Sequence, residues 1–513
     1  MMNKIYFKLI LLPIVYLVLF SCTDDLDRYP TNGINSEIQF NSLEGYEQGL
    51  NTLYGVLNNN GPSWNGGLIR KYFELQEAPT DEAILYWSPF NTFDWSVDNN
   101  IISYHYATLI RNISYANNFL IESEPETVSK RGFSGEEAET IDIYRAEARF
   151  LRALHYWMLM DLFGNPPFAT EETLKKSAIP EQINRVELFA YIESELLDIE
   201  DNMIEPRQNE YGRADKAAAW ALLSRLYLNG EVYTGNKFYS QAITYSKKVI
   251  DAGYSLETNY EWLFLADNHL NTNEFIFSIP FDNNKIITWE GTNFLALGQA
   301  GIPESMNGMS GSWNLFAFTP ELVDLFPTED TSMDKRAMIW TENRIKEFES
   351  LSNNAQGYSA YKFRNIDRNG IAPVQNNANN NISDIDFPIF RLAESYFIYA
   401  EAVLRGGSGG NISEALGYIN KLRERAYGNS SGNITDTELN LDFILDERAR
   451  ELYWECHRRT DLIRFEKFTS ANYLWAWKGG IKEGKGVSEK FRIYPLPNAD
   501  VLSNPNLTQN PNY

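Results

Sequence analysis

Apolar residues recur every three to four positions in several long segments of the chain, which is the period of an amphipathic α-helix. The clearest segment is Ile143–Phe163, which reads IYRAEARFLRALHYWMLMDLF, and Val186–Met203 follows it as an amphipathic partner. The same pattern predicts three more pairs, namely Lys216–Leu228 with Tyr239–Ile250, Ile389–Leu404 with Ser413–Ala426, and Leu43–Leu57 with Tyr104–Glu122. The pattern therefore predicts an all-α protein.

The predicted pairs look like tetratricopeptide-type helix hairpins, in which small residues on one helix let the next helix pack closely. Their spacing is irregular, so we expect a decorated scaffold of about four pairs rather than a regular solenoid. Three intervening segments show little regular pattern and are rich in Asn, Gly, Trp and Pro: Gly61–Val97, Tyr254–Trp313 and Ser352–Phe387. Flexible linkers are poor in aromatic residues, so we expect the first two of these loops to pack on the helices and present a binding surface.

The first residues of the chain have the pattern of an export signal. Lys4 and Lys8 precede an apolar run that is too short to span a membrane and that ends before Ser21-Cys22. Leu19–Cys22 is similar to the lipobox of bacterial lipoproteins, in which the cysteine is diacylated, and two acyl chains suffice for stable anchoring. The alternative is an ordinary signal with an incidental cysteine.

These observations divide the chain into five predicted regions. We expect a signal peptide over 1–21, a lipidated tether over 22–42, a helical region over 43–253 with a binding loop at 61–97, a loop-rich binding region over 254–386 and a C-terminal helical region over 387–513.

Composition narrows the classes of function. The 513 residues carry a formal net charge of −24, and a surface this acidic repels nucleic acids and disfavours anionic polysaccharides. Only two cysteines are present, which excludes a disulfide framework, and only four histidines, which limits zinc and histidine-based chemistry. Aromatic residues reach 14%, with 12 Trp, 30 Tyr and 30 Phe.

Catalytic motifs are matched only formally. Gly406–Gly410 reads GGSGG, but a nucleophile elbow needs a preceding strand, and this segment lies between two predicted helices. Gly479–Lys485 imitates a phosphate-binding loop but is followed by Gly486 where Ser or Thr is needed. We expect His155 to be a helix-packing residue and Cys456 a small buried one. With 69 acidic residues, a pair of carboxylates carries little weight as evidence for a glycoside hydrolase.

The aromatic loops are better suited to binding sugars. A pyranose ring stacks its C–H face on a flat aromatic ring, and its hydroxyl groups need directional hydrogen-bond partners. The first loop offers Tyr86, Trp87 and Trp95 as rings with Arg70 and Asn91 as polar partners, and the second offers Trp289, Phe294 and Trp313. The alternative for any one of these rings is packing in a satellite core beneath the loops.

A metal site is a further hypothesis. Asp384 and Asp386 alternate ahead of a predicted helix, and Asp267 offers another carboxylate, a ligand type that suits calcium. The alternative is a cluster of acidic residues that interacts favourably with the helix N-terminus. No other cofactor is expected.

Several long motifs resemble the SusD/RagB family. They are RAEARFLRALHYWMLMDLFGNPPF from Arg145, EPRQNEYGRADKAAAWALLSRLYLNGEVYTG from Glu205, FPIFRLAESYFIYAEAVLR from Phe387, ERARELYWECHRRTDLIRF from Glu447, YLWAWKGG from Tyr473 and the closing YPLPNADVLSNPNLTQNPNY. The resemblance runs from Cys22 to Tyr513. It implies a non-enzymatic lipoprotein of the outer membrane, facing the extracellular side, that binds a neutral glycan and passes it to a SusC-like TonB-dependent transporter.

The resemblance also implies site residues. Pro79–Glu82 matches a family segment that puts Trp87 on a stacking position and Arg70 on a hydrogen-bonding one. Trp313 matches a second stacking Trp, whereas Phe294 falls where a Tyr is expected. Leu85 and Phe90 depart from the starch-binding pattern, and Asp267, Asp384 and Asp386 match possible calcium positions.

Our interpretation is a protein that binds starch-like α-glucan. The alternatives are a protein with the same role for another neutral glycan such as a fructan, a glycoside hydrolase, and a structural transporter subunit with no affinity for sugar.

Overall fold

A computed structural model describes residues 36–58, 67–326, 333–375 and 381–513. The chain divides into two compact units, Met1–Gly49 and Leu50–Tyr513, and the predicted boundaries after residues 253 and 386 both fall inside the second unit. The predictions for the signal peptide and for Cys22 lie outside the described residues. Among the helices of the described ranges, none combines the length and the apolar character that a membrane crossing requires.

The described residues contain nineteen α-helices, which confirms the all-α prediction. In chain order they are α1 Ser36–Gln39, α2 Leu43–Asn58, α3 Leu68–Gln76, α4 Asn100–Glu122, α5 Pro125–Lys130, α6 Glu136–Phe163, α7 Glu171–Lys175, α8 Arg185–Asp198, α9 Lys216–Leu228, α10 Gly230–Thr234, α11 Tyr239–Asp251, α12 Thr292–Gly298, α13 Glu304–Asn307, α14 Pro320–Asp324, α15 Leu392–Leu404, α16 Ile412–Tyr427, α17 Leu441–Leu452, α18 Arg458–Arg464 and α19 Asn498–Ser503.

Eight short strands in the same ranges form four two-stranded antiparallel ribbons. They are β1 Ala83–Leu85 with β5 Phe316–Phe318, β2 Pro167–Phe168 with β3 Glu181–Gln182, β4 Phe275–Ile279 with β8 Phe387–Arg391, and β6 Ile339–Trp340 with β7 Ser359–Ala360.

The helix pairs stack into a scaffold largely as predicted. The pairs α6 with α8, α9 with α11, and α15 with α16 all pack, and α11 also contacts α15. Asp215 caps α9 by accepting hydrogen bonds from the first backbone N–H groups, and the small residues Ala217–Ala219 are fully buried, which permits close packing. The predicted fourth pair differs, because α4, which contains Tyr104–Glu122, packs against α6.

The segments predicted to be irregular contain more regular structure than their composition indicates. Helix α3 and strand β4 lie within Gly61–Val97 and Tyr254–Trp313, respectively. In α3 the charged residues Lys71 and Glu74 are buried, and the Lys71 ammonium donates to Glu290 at 2.9 Å. A charged residue at a buried position interrupts the apolar pattern by which a short helix is identified. Its partner is distant in sequence, so the pattern gives no sign that the charge is buried.

A buried network of ion pairs joins α16, α17 and the β4–β8 ribbon. One carboxylate oxygen of Glu451 accepts from Arg391 at 2.7 Å and also from Arg425, and its other oxygen accepts from Arg336 at 3.2 Å. All these side chains are almost completely buried. The network extends to Glu274, Asp334, Lys362, Glu447 and Glu455.

This network predicts acid sensitivity. Burial alone would raise the pKa of Glu451 and Glu447, but the surrounding arginines outweigh it and lower each pKa from 4.5 to about 2. A carboxyl group whose pKa is lower in the folded than in the unfolded protein stabilises the fold fully at pH values above its unfolded pKa. This stabilisation is therefore lost as the pH falls from about 4.5 towards 2. We therefore expect the urea midpoint, followed by tryptophan fluorescence, to be far lower at pH 3 than at pH 6. The decrease should persist in high salt because buried pairs are weakly screened; equal midpoints would contradict it.

Candidate functional site

The candidate site is built on the β1–β5 ribbon. Leu85 lies opposite Phe316 in the antiparallel register, and Tyr86 extends the pairing by donating its backbone N–H to Leu315 at 2.9 Å. Trp87 lies two positions beyond the last paired residue of β1, and Trp313 lies three positions before the first paired residue of β5. Trp87 and Trp313 therefore leave the ribbon at the same end, although more than 200 residues separate them in sequence.

The PTDE segment fixes the other end of β1. The Asp81 carboxylate accepts two hydrogen bonds from the Arg458 guanidinium, each at 2.7 Å, and one from the Tyr473 hydroxyl at 2.6 Å. Burial alone would raise the pKa of Asp81, but Arg458 outweighs it and the pKa is lowered. Asp81 is buried, so this part of the motif anchors the strand.

Trp87 presents its ring to solvent. The side chain is 62% exposed, and its backbone N–H donates to Leu351 at 3.1 Å. Its backbone φ of 60° lies in the left-handed region, which costs a non-glycine residue about 1–2 kcal/mol. A large apolar ring held in the open by an unfavourable backbone is typical of a functional position.

Trp289 and Trp313 form a second aromatic surface. Their ring centroids are 6.1 Å apart with an interplanar angle of 47°, and both side chains are half-buried. The backbone N–H of Trp313 donates to Leu297 at the end of α12, at 2.7 Å, which fixes the start of the segment leading into β5. The two rings therefore meet at an oblique angle.

Arg70 ties α3 to the loop that carries Trp289. Its guanidinium donates to Glu74 and Glu290, each at 2.9 Å, and its charge lies 5.0 Å from the centre of the Phe294 ring. Burial lowers the pKa of Arg70, but the two carboxylates raise it more, so the guanidinium is fully charged. Its Nη2 group has no protein acceptor among the described residues and remains available as a donor.

Four of the predicted site residues have buried side chains. Phe294 is 1% exposed, and Tyr86, at 6%, lies beneath the T-shaped contact with Trp87. The Asn91 amide bonds to the backbone of Leu85 and closes a turn. Trp95 is 7% exposed, packs among aromatic rings and donates to the Tyr513 hydroxyl at 3.2 Å, so the core alternative is correct for it.

The three aspartates predicted for calcium are held by protein donors. Asp384 accepts from both nitrogens of Asn283 at 2.6 Å, Asp386 from Phe281 and Tyr211, and Asp267 from Arg368 at 2.9 Å. Asp267 and Asp384 line one cavity of about 500 Å³. Within the described ranges no three His, Cys, Asp or Glu side chains converge as metal ligands, and calcium binding stays a prediction.

The alternative interpretation of Asp384 and Asp386, an acidic cluster at a helix N-terminus, is wrong. Strand β8 separates them from α15, so they do not lie at the N-terminus of that helix. Burial raises the pKa of Asp386 to about 7. The two residues instead anchor the segment that precedes β8 to backbone groups around Phe281.

The formal catalytic motifs have structural roles. Gly406–Gly410 connects α15 to α16, as predicted. His155 is buried, with its ring nitrogens 2.6 Å from the Leu151 carbonyl and 3.1 Å from the Asn112 amide. Burial raises the pKa of the Cys456 thiol well above its usual value, which makes it unreactive.

Sequence reasoning missed Arg344. Its guanidinium donates to the carbonyls of Gly357 and Gln356 and, at 2.8 Å, to the hydroxyl of Tyr86. These bonds fasten the loop that includes Leu351 to the residue supporting Trp87. No motif in the sequence indicates this role, because its acceptors are mostly backbone carbonyls.

Comparisons with known proteins agree with this architecture. The SusD family matches residues 346–513, and a family described as starch-binding and associating with the outer membrane matches residues 26–228. The chain is 36% identical to the starch-binding protein SusD of Bacteroides thetaiotaomicron over an alignment of 561 residues that covers 96% of each chain.

Solved structures share the fold. A SusD superfamily protein from Parabacteroides distasonis superposes with a TM-score of 0.73 at 23% identity, covering 94% of this chain and 100% of that one. Surface glycan-binding protein A from Bacteroides fluxus superposes with a TM-score of 0.70 at 19% identity, covering 92% of this chain and 100% of that one. Because the identity to a curated member extends over nearly the full length of both sequences, the chain belongs to the SusD family.

Proposed function

We propose that the protein captures starch-like α-glucan oligosaccharides on the surface formed by Trp87, Trp289 and Trp313 and passes them to a SusC-like TonB-dependent transporter. The observation that carries the proposal is the exposed indole of Trp87, held in a left-handed backbone at the same end of the ribbon as Trp313. An exposed indole offers a flat apolar face in water, which suits the C–H face of a pyranose.

The angle between the rings favours a curved ligand. Trp289 and Trp313 are inclined at 47° rather than coplanar, so successive sugar rings stacked on them have to turn. An α-linked glucan turns in this way, whereas a flat ribbon-like glucan does not. Arg70 supplies a charged donor beside the rings for hydroxyl groups. The starch-binding relative is consistent with the same ligand class.

The membrane part of the proposal rests on the family and on the N-terminus. The matched family is described as associating with the outer membrane, and Cys22 follows a lipobox-like segment. We propose that acylation of Cys22 anchors the protein there with the binding surface facing outwards. The protein is not an enzyme, since its family comprises carbohydrate-binding proteins.

Calorimetric titration tests the binding proposal. The soluble form that starts after Cys22 is titrated with maltoheptaose, with a fructan oligosaccharide and with a β-linked glucan oligosaccharide of similar length. We expect heat of binding with maltoheptaose and much weaker binding of the other two, because only the α-glucan follows the inclined rings.

The outcomes separate the alternatives. Preferential binding of the fructan would overturn the proposal of an α-glucan ligand, but the protein would still bind a neutral glycan. Absence of binding to all three would favour a structural transporter subunit. Release of reducing ends during incubation would indicate a hydrolase.

A further inference from the structure

A cleft of about 630 Å³ lies at the ends of α15 and α16, and none of its lining residues belongs to the aromatic surface described above. The cleft is lined by the segment from Tyr254 to Asn259 and by Tyr396 and Lys421. Lys335 also lines the cleft. A volume of this size is in the range of small-molecule sites.

The lysines and the glutamates of this cleft differ in how they are bonded. A carboxylate oxygen of Glu257 accepts from the Thr258 backbone at 2.8 Å, and one of Glu424 accepts from the Asn433 amide at 2.7 Å. In the described ranges, neither Lys335 nor Lys421 has a carboxylate within ion-pair distance, 4.0 Å. The cleft therefore presents two ammonium groups that form no direct ion pair within the described ranges, alongside the carboxylates of Glu257 and Glu424, in a protein whose net charge is −24.

The groups around Lys421 are held rigidly. Its ammonium lies 5.4 Å from the Tyr418 ring centre and 5.9 Å from that of Tyr396, and these two rings stack at 4.7 Å with an angle of 11°. One turn further along α16, Arg425 is fixed by Glu274 at 2.9 Å and by the buried network. A lysine on a fixed helix beside ordered rings is preorganised for a ligand.

Lys335 is attached to the same helix. Its backbone N–H donates to Ala426 at 2.9 Å, and its side chain reaches Gly428 at the C-terminal end of α16. Both lysines are therefore positioned by α16 and face one cleft. The cleft lining also carries hydroxyl, amide and carboxylate groups from Ser255, Glu257, Thr258 and Asn259, which suit sugar hydroxyl groups.

We infer that this cleft is a second ligand site, which takes a sugar carboxylate, that is, a hexuronic acid residue. The carboxylate binds to the ammonium groups of Lys335 and Lys421, the ring lies against Tyr396, and the hydroxyl groups bond to the segment from Ser255 to Asn259. Charge-assisted hydrogen bonds supply the selectivity over a neutral sugar. This inference does not depend on the proposed function of the aromatic surface.

A matched pair of ligands tests the inference. The soluble chain is titrated with methyl glucuronide and with methyl glucoside, which differ in the carboxylate. We expect only the glucuronide to bind, and we expect its affinity to fall as salt is raised because both lysines are exposed. The double variant Lys335→Gln/Lys421→Gln should bind at least about tenfold more weakly, equivalent to 1.4 kcal/mol, with an unchanged melting temperature.

Two control variants locate the site. Lys130→Gln, on the exposed surface of α5, should leave the glucuronide affinity unchanged. Trp87→Ala should also leave it unchanged, whatever that variant does to maltoheptaose binding. Equal binding of glucoside and glucuronide, absence of glucuronide binding, or full affinity in the lysine double variant would overturn the inference. Displacement of the glucuronide by a short acidic peptide of much higher affinity would overturn the assignment to a sugar.

Discussion

Replacing Trp87 by glycine is expected to weaken maltoheptaose binding by about 30-fold, the effect of losing about 2 kcal/mol at a binding hot spot. Combined with Trp313→Ala, the substitution should abolish measurable binding, because both aromatic surfaces lose a ring. Folding should not suffer, since the Trp87 ring is mostly in solvent and glycine adopts a φ of 60° without strain. Calorimetry gives the affinity, and urea unfolding gives the stability.

Glycine at position 87 separates the two explanations of the exposed ring. If Trp87 serves only to pack the loop, Trp87→Gly should lower the unfolding free energy and leave the affinity intact. Tyr115→Ala is the matched control, because Tyr115 is an aromatic residue exposed on α4. That control should change neither quantity. Retained glycan affinity in the Trp87→Gly/Trp313→Ala double variant would remove the basis of the proposed site.

Glu451→Gln is expected to lower the free energy of unfolding by about 3–5 kcal/mol, the usual cost of removing one partner from a buried ion pair. The carboxylate accepts from Arg336, Arg391 and Arg425, and an amide cannot neutralise their charges. The amide NH2 group of the glutamine would also face the N–H groups of the arginines. Donors would then meet a donor, which leaves buried hydrogen-bonding groups unsatisfied. Urea unfolding at pH 7 measures the loss.

An exposed pair provides the comparison for Glu451→Gln. Glu126 lies 4.0 Å from Lys130 on the surface of α5, with both side chains mostly exposed. Glu126→Gln should change stability by less than about 1 kcal/mol, because surface pairs are screened by water and salt. If both variants lost a similar amount of unfolding free energy, the buried network would contribute no more to stability than an exposed pair does.

The scaffold helices could be predicted closely from sequence, and the physical reason is their period. Lys216–Leu228 was predicted with the bounds that α9 has, since a run of strong helix formers leaves little ambiguity. Helix α3 could not be found, because Lys71 and Glu74 are buried. Lys71 pairs with Glu290 in a distant segment, and Glu74 pairs with Arg70 on the same helix. The partner of α4 was also missed, because periodicity identifies an apolar face but not the helix that covers it.

The candidate site could be predicted only in part. Trp87 and Trp313 were placed on loops, and the register of β1 and β5 then brings them to one end of a ribbon. Whether a ring in a loop faces water depends on its backbone angle and on its neighbours, which composition does not encode. Trp87 and Trp95 are eight residues apart in the same aromatic segment, yet one is mostly exposed and the other buried against Phe491.

The pairing of Asp81 with Arg458 has a consequence for the order of folding. The C-terminal segment also bonds to the earlier part of the chain, since Tyr494 donates to Leu162 and to Leu75, each at 2.7 Å. Contacts spanning more than 300 residues cannot form until nearly the whole polypeptide has been synthesised, and such distant closures are slow. A product lacking the last 60 residues would leave the Asp81 carboxylate without its partner and the base of β1 unsupported. The end of the ribbon that carries Trp87 is thus among the last parts of the molecule to mature.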